Sequence, residues 1–367
     1  MPTDKLDKLV IPTKNADVFS SSTSEEGGFD DLLGDASFEI SSITEPEEGL
    51  IHAVVHVNDY YFTDRIDRYL LFDRGNEGLF VDLGHPQLTG TEHMNVMLDR
   101  VHLSWKQADA VITHFHADHV GGLGFFGEQN GRQVFYGPKR TMDDAFCQDF
   151  CLTCGMPEVW ETHADAVRAT LQYAASIDLP RGTSAHMLHD GDTIDCGPWH
   201  LTAIETPGHA LEHICLADLD RKVLFAGDHI IDAAPSLMQW HRDDHLLQKF
   251  FASFDRLREM KFETVYMSHH EPLHGTEAIS KFYDYMIAKF EKPLAKRLSI
   301  VNALGSATVA EVAIGAQRSH GAFSSLEFGM RLRRFAMSLV LLEYLADTGK
   351  IIRKTNSEGS LLYLSKE

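Results

Sequence analysis

Four ligand-type side chains fall within six residues of the segment THFHADHVGG (113–122): His114, His116, Asp118 and His119. Imidazole nitrogens and carboxylate oxygens are the donors expected around zinc, or around iron or manganese. On an extended backbone, residues i and i+2 project to the same face, so His114 and His116 can reach one ion. The turn that follows throws Asp118 and His119 towards a neighbouring position, and Gly121 and Gly122 let the backbone pass close beside the site. One segment cannot complete two metal shells. Further ligand-type residues follow apolar runs at three places: His209 in TPGHALEHICL (206–216), Asp228 in LFAGDHI (224–230), and His269 or His270 in VYMSHHEPLHG (265–275). His213, His229, His241, His245 and His274 have no such setting and read as packing or solvated histidines.

The elements that must position these residues are short. IHAVVHV (51–57), RYLLF (68–72) and GLFVDLG (78–84) are β-branched and aromatic runs between polar or glycine punctuation, and read as strands. ADAVITH (108–114) reads as a buried strand running into a helix from His119, after a helix over 93–103. Helices are expected over 141–176, as an insertion between strands, and over 245–260. Short strands with tight turns fill 186–227, and ETVYMSHH (263–270) is a strand ending in a loop. The order implies two sheets with helices packed on them, an α/β sandwich. The tail reads differently: one long helix (about 277–304), two more helices, and a hairpin around SEG, which together make a winged-helix pattern.

These residues resemble the metallo-β-lactamase superfamily: His-x-His-x-Asp-His, a Thr-Pro-Gly-His turn, Gly-Asp, then a last His before Pro, all in order over about 50–275. The resemblance implies an αββα sandwich over 36–276 with a helical insertion at 141–187, between a Ser/Gly-rich acidic arm (1–35) and a winged-helix-like domain (277–367). It implies two divalent ions, zinc above iron or manganese. His114, His116 and His209 would hold the first, Asp118, His119 and His269 the second, and Asp228 would bridge them. His269 is favoured over His270 because Glu271 and Pro272 then align. Asp82 in FVDLG matches an early buried Asp that supports the histidines. The chemistry implied is hydrolysis: two such ions lower the pKa of water from 15.7 towards about 7, and Asp118 is placed to orient it and pass a proton to the leaving group. The insertion would cap the substrate pocket. Asp rather than Cys at 228 disfavours antibiotic hydrolysis, and His rather than Glu at 116 disfavours the oxygen-reducing branch. The pattern looks most like glyoxalase II-related hydrolases acting on a small ester, thioester or lactone. The alternatives are a single-strand ribonuclease or other phosphodiesterase, and a non-enzymatic winged-helix regulator that senses a metal or ligand.

Charge weighs on these classes. The 367 residues carry a net −21, yet 277–367 hold 13 basic and 9 acidic residues, net +4, which leaves −25 on 1–276. Such acidity disfavours a nucleic-acid partner, although RLRR (331–334) in the tail could touch phosphates. No apolar run is long enough for a membrane span, and there is no export signal pattern. The five cysteines, Cys147, Cys151 and Cys154 among them, read as buried thiols of a cytoplasmic protein. The expected partner is a small-molecule substrate, with a homodimer as the oligomeric option.

Overall fold

The structure is a computed structural model describing residues 37–58, 64–84, 91–173, 183–231, 237–317 and 322–366. The acidic arm expected over 1–35 lies outside the described residues. Four antiparallel strands come first: β1 (Ser37–Glu47), β2 (Leu50–Asn58), β3 (Arg65–Asp73) and β4 (Glu77–Val81). After α1 (Thr91–Arg100), β5 (Ala108–Ile112) joins parallel to β4; α2 (Ala117–Val120) and α3 (Leu123–Glu128) then lead to β6 (Gln133–Tyr136). Helices α4 (Asp144–Cys154) and α5 (Pro157–Tyr173) precede β7 (Ser184–Met187), which completes a seven-stranded sheet ordered β1 to β7.

The second sheet holds β8 (Thr193–Cys196), β9 (Trp199–Glu205), β10 (Ile214–Asp218), β11 (Val223–Phe225), β12 (Thr264–Tyr266) and β13 (Leu273–His274), ordered β13-β12-β11-β10-β9-β8. Helix α6 (Leu246–Met260) makes the crossover between the parallel strands β11 and β12. The period of two in each strand sorts residues between faces. Tyr69, Leu71, Val81, Trp199, Leu216 and Phe225 fill the space between the sheets. Leu70, Phe80 and Ile112 face α1 and α3 on one outer side. Ile204, Leu224 and Val265 face α6 and the helix that follows β13 on the other. The result is the expected helix–sheet–sheet–helix stack.

The tail comprises α7 (Thr276–Ala288), α8 (Glu291–Leu304), β14 (Ser306–Thr308), α9 (Val309–Gln317), α10 (Phe328–Asp347), β15 (Ile351–Thr355) and β16 (Leu361–Ser365), with a sheet ordered β14-β16-β15. The single helix expected over 277–304 is therefore two. The chain breaks at Lys289–Phe290, and Pro293 sits in the first turn of α8, where a missing N–H costs no helical bond. The insertion also packs on the tail. Cys147, Phe150, Cys151 and Cys154 of α4 and Val167 and Leu171 of α5 share one core with Val309, Leu332, Leu339 and Tyr363 of the tail. Gly155, which ends α4 at φ +80°, lies so near Thr308 that a Cβ there would come within 2.9 Å of it. Among the described residues no helix is long and apolar enough to cross a membrane.

Candidate metal centre

The candidate ligands follow the carboxyl ends of strands, with Asp118 and His119 in the short helix α2 that succeeds β5. The five residues of β5 are all buried, and the chain leaves the sheet at Thr113 and His114. Short strands β11 and β12 release Asp228 and His269 in the same way, and the turn after β9 releases His209. Gly227 allows the approach at Asp228. Its φ is +50°, and a Cβ there would come within 2.7 Å of His213 Nε2 and 2.8 Å of Thr113 Oγ1.

Two groups of donor atoms result, each within 4.8 Å of one another: His114, His116 and His209, and Asp118, His119, Asp228 and His269. His116 Nδ1 lies 2.9 Å from both His114 Nε2 and His209 Nε2. A neutral imidazole offers one donor and one acceptor, so three ring nitrogens converging on one point leave a lone pair facing a lone pair unless a cation sits between them. Burial, foremost, together with the neighbouring imidazoles depresses all three histidines, His116 to about 3, which keeps them in the neutral form that ligates metal.

In the second group the outward nitrogens are already engaged. His119 Nδ1 lies 2.7 Å from Asp82 Oδ2, and His269 Nδ1 lies 2.9 Å from the Arg65 carbonyl. Their Nε2 atoms therefore point inward. His269 Nε2 stands 3.2 Å from Asp118 Oδ2 and 3.3 Å from Asp228 Oδ1; His119 Nε2 stands 3.4 Å from Asp228 Oδ1. His119 Nε2 and Asp228 Oδ1 are buried, yet neither has a partner in hydrogen-bonding geometry. Burial opposes charge on His119, but Asp228, Asp82 and Asp118 outweigh it and raise the imidazolium to about 10. Burial would likewise raise Asp118 and Asp228, but His119 and His269 hold both carboxyls below their usual range. Asp228 also reaches the first group, its Oδ2 3.6 Å from His209 Nε2. Buried orphan donors, converging nitrogens and a carboxylate near both groups suit divalent-cation binding.

Asp82 anchors the arrangement from below. Its backbone is left-handed (φ +62°), and its carboxylate accepts from Thr113 N at 2.8 Å and Thr113 Oγ1 at 2.9 Å as well as meeting His119. His270 belongs to neither group. His213 is held at 2.9 Å by Thr206 Oγ1, and His229 packs against Phe250 and Phe254. His241 and His245 pair with Asp149 and Asp347, and His274 is exposed. Reading the sequence for ligand types missed Arg65, Asp67 and Tyr69. The signal available was the alternation Arg65-x-Asp67-x-Tyr69, polar groups on the inward face of a strand that also carries buried Leu71.

A cleft opens beside His116 and His209. Met142, Leu211, Met238 and Trp240 line it alongside Glu212 and the Arg140–Asp244 pair, 2.6 Å apart. Burial lifts the Glu212 carboxyl to about 7.

A sequence profile of the metallo-beta-lactamase superfamily matches residues 150–269, a span that takes in His209, Asp228 and His269. This chain carries a metallo-beta-lactamase superfamily domain. Curated relatives include the acyl-coenzyme A thioesterase MBLAC2 of Homo sapiens, 34% identical over 131 residues, or 36% of this chain and 43% of that protein. A hydroxyacylglutathione hydrolase of Bdellovibrio bacteriovorus is 24% identical over 164 residues, 45% of this chain and 49% of the relative. The aligned stretch thus spans less than half the length of these relatives. In fold, the chain is similar to a beta-lactamase domain protein from Burkholderia ambifaria (TM-score 0.68, 18% identity, 91% of this chain and 96% of that one). It is also similar to a metallo-beta-lactamase family protein from Thermus thermophilus (TM-score 0.61, 22% identity, 87% and 99%). Asp228, on the second sheet, is a member of the second donor group and stands 3.6 Å from His209 of the first.

Proposed function

We propose that the protein is a dinuclear metal-dependent hydrolase whose substrate is a thioester with an apolar acyl chain. The observation that carries this reading is the placement of Asp228 between two preformed ligand groups, the first of which lines, through His116 and His209, a cleft with Met142, Met238 and Trp240 in its wall. His114, His116 and His209 would hold one ion, and Asp118, His119 and His269 the other, with Asp228 between them; zinc fits the nitrogen-rich set, and iron or manganese the mixed one. Ions bound there supply Lewis-acid polarisation of the substrate oxygen and an acidified water.

The chain supplies the rest. Asp118 is the more open of the two inner carboxylates, its side chain 15% exposed against 6% for Asp228, and so is placed to take a proton and return it to the leaving sulfur. Met142, Met238 and Trp240 exclude water from the acyl chain. Thioesters are favoured over lactones and plain esters because relatives of both kinds named above, the acyl-coenzyme A thioesterase and the hydroxyacylglutathione hydrolase, act on that bond.

The tail supports a winged-helix-like reading through its helix–strand–helix–helix–strand–strand order from α8 to β16. Its role is then to brace the cleft rather than to read nucleic acid. Arg331 of RLRR is turned inward, 2% exposed, and donates to the carbonyls of Leu326 at 2.6 Å and Ser324 at 2.9 Å. The test is turnover by zinc-, iron- and manganese-loaded protein on thioester, lactone and bis(nitrophenyl)phosphate panels. Preferential thioester cleavage is the expected result; cleavage of the phosphodiester or of single-stranded RNA alone would overturn it.

A further inference from the structure

Among the metal-directed histidines, His269 is the second-sheet member of a group whose other imidazole, His119, is fixed by Asp82 in the first sheet. Its position relative to Asp118 and His119 therefore depends on bonds that cross between sheets. One strand of the first sheet makes them. Tyr69 Oη donates to the Met267 carbonyl at 2.5 Å, the Asp67 amide donates to the Ser268 carbonyl at 2.7 Å, and the Arg65 carbonyl accepts from His269 Nδ1 at 2.9 Å. The Arg65 guanidinium also reaches Glu271. The residue at the ligand position and three of its neighbours are thus each bonded to β3.

The strand is itself stiffened at that end. Arg65 closes on Asp67 through two bonds of 2.7 Å, Nε to Oδ2 and a terminal nitrogen to Oδ1. The Asp67 side chain is fully buried and also meets His52 Nε2 of β2 at 2.6 Å. The His52 ring stacks on Tyr69 with centroids 4.9 Å apart. A bidentate arginine–carboxylate pair fixes direction as well as distance, so the Arg65 backbone carbonyl has little freedom to move from the His269 ring. That carbonyl selects the tautomer protonated at Nδ1 and leaves Nε2 for the ion.

We propose that the strand face Arg65-x-Asp67-x-Tyr69, backed by His52, is a template that sets the position and tautomer of His269 across the sheet interface, and so tunes the affinity of the second metal position. These are positioning residues: none belongs to either ligand group. The first position, built from His114, His116 and His209, has no bond to this face among the described residues, so the two positions must respond differently when the template is damaged.

The proposal rests on the two-metal reading, and the measurement is metal stoichiometry and stepwise affinity by competition with a chromophoric chelator, with cobalt(II) absorption as a second readout. Arg65→Met and Asp67→Asn are expected to weaken the second ion about 10–100-fold while leaving the first unchanged. Arg65→Lys should recover part of the loss, because it restores the charge but not the fork. Equal weakening of both ions, or unchanged affinity for both, would overturn the template. Should either buried variant fail to fold, Glu271→Ala on the surface takes its place. There, a weakening of threefold or more confined to the second ion supports the proposal, and no change refutes it. A native protein that takes up a single ion overturns the two-metal reading and the template together; two ions bound with the same stepwise affinities by native protein and variants overturn the template alone.

Discussion

At the scale of single residues, Asp82 shows how one carboxylate can organise a site without entering it. It bonds the backbone amide and the hydroxyl of Thr113, the residue before the first ligand, and the outer nitrogen of His119. Asn keeps the left-handed backbone accessible but has one acceptor oxygen and no charge. Asp82→Asn is therefore expected to lower metal affinity about 10–100-fold and stability by about 1–3 kcal/mol, checked by chelator competition and urea melts of the metal-free protein. The ligand types were legible in the sequence because imidazoles and carboxylates at strand ends have few other uses. Arg65, Asp67 and Tyr69 left only an alternation of polar residues along one strand, because their meaning lies in what faces them on the other sheet.

At the scale of elements, the turn between β11 and Asp228 has no spare volume. Gly227→Ala would force a left-handed backbone on a residue with a Cβ and drive that carbon against His213 and Thr113. A loss of about 2 kcal/mol or more, with metal content falling in parallel, is expected in thermal melts and elemental analysis. Strands and their order were readable from apolar runs and glycine punctuation. The partner of the insertion was not: α4 and α5 present an apolar face, and only the fold shows it resting on the tail. Within that shared unit, Glu343 is fully buried, bonded by Tyr363 Oη at 2.5 Å and reached by Arg353. Burial dominates and raises its carboxyl above the ordinary 4.5 in spite of both partners. The folded state thus holds this proton more tightly than the unfolded one. Its contribution is complete below about pH 4.5 and is lost as pH rises through the folded value. Glu343→Gln should remove that slope, so the melting temperature of the native protein relative to the variant should fall between acid and neutral pH.

At the scale of the whole molecule, the centre is a bridge. His114, His116, Asp118 and His119 come from the first sheet, and His209, Asp228 and His269 from the second. An ion shared between them adds its binding energy to the joining of the sheets. At a free-ion concentration about a thousand times Kd, the gain is about 4 kcal/mol for one site, which at about 2–4 °C per kcal/mol is a shift in melting temperature of about 10 °C. Chelation should lower the melting temperature by that amount and zinc should restore it; no shift would mean that the preformed groups bind no ion. The sandwich should nevertheless stay folded without metal, because the core between the sheets, from Leu50 and Tyr69 to Trp199 and Phe225, is built from apolar side chains of the strands themselves. Hydrogen exchange would separate the two contributions. After chelation, amides of 113–122, 206–213, 226–231 and 266–271 should lose protection while those of β3, β5, β9 and β10 keep theirs. Loss of protection throughout both sheets would make the ions part of the fold rather than guests in it.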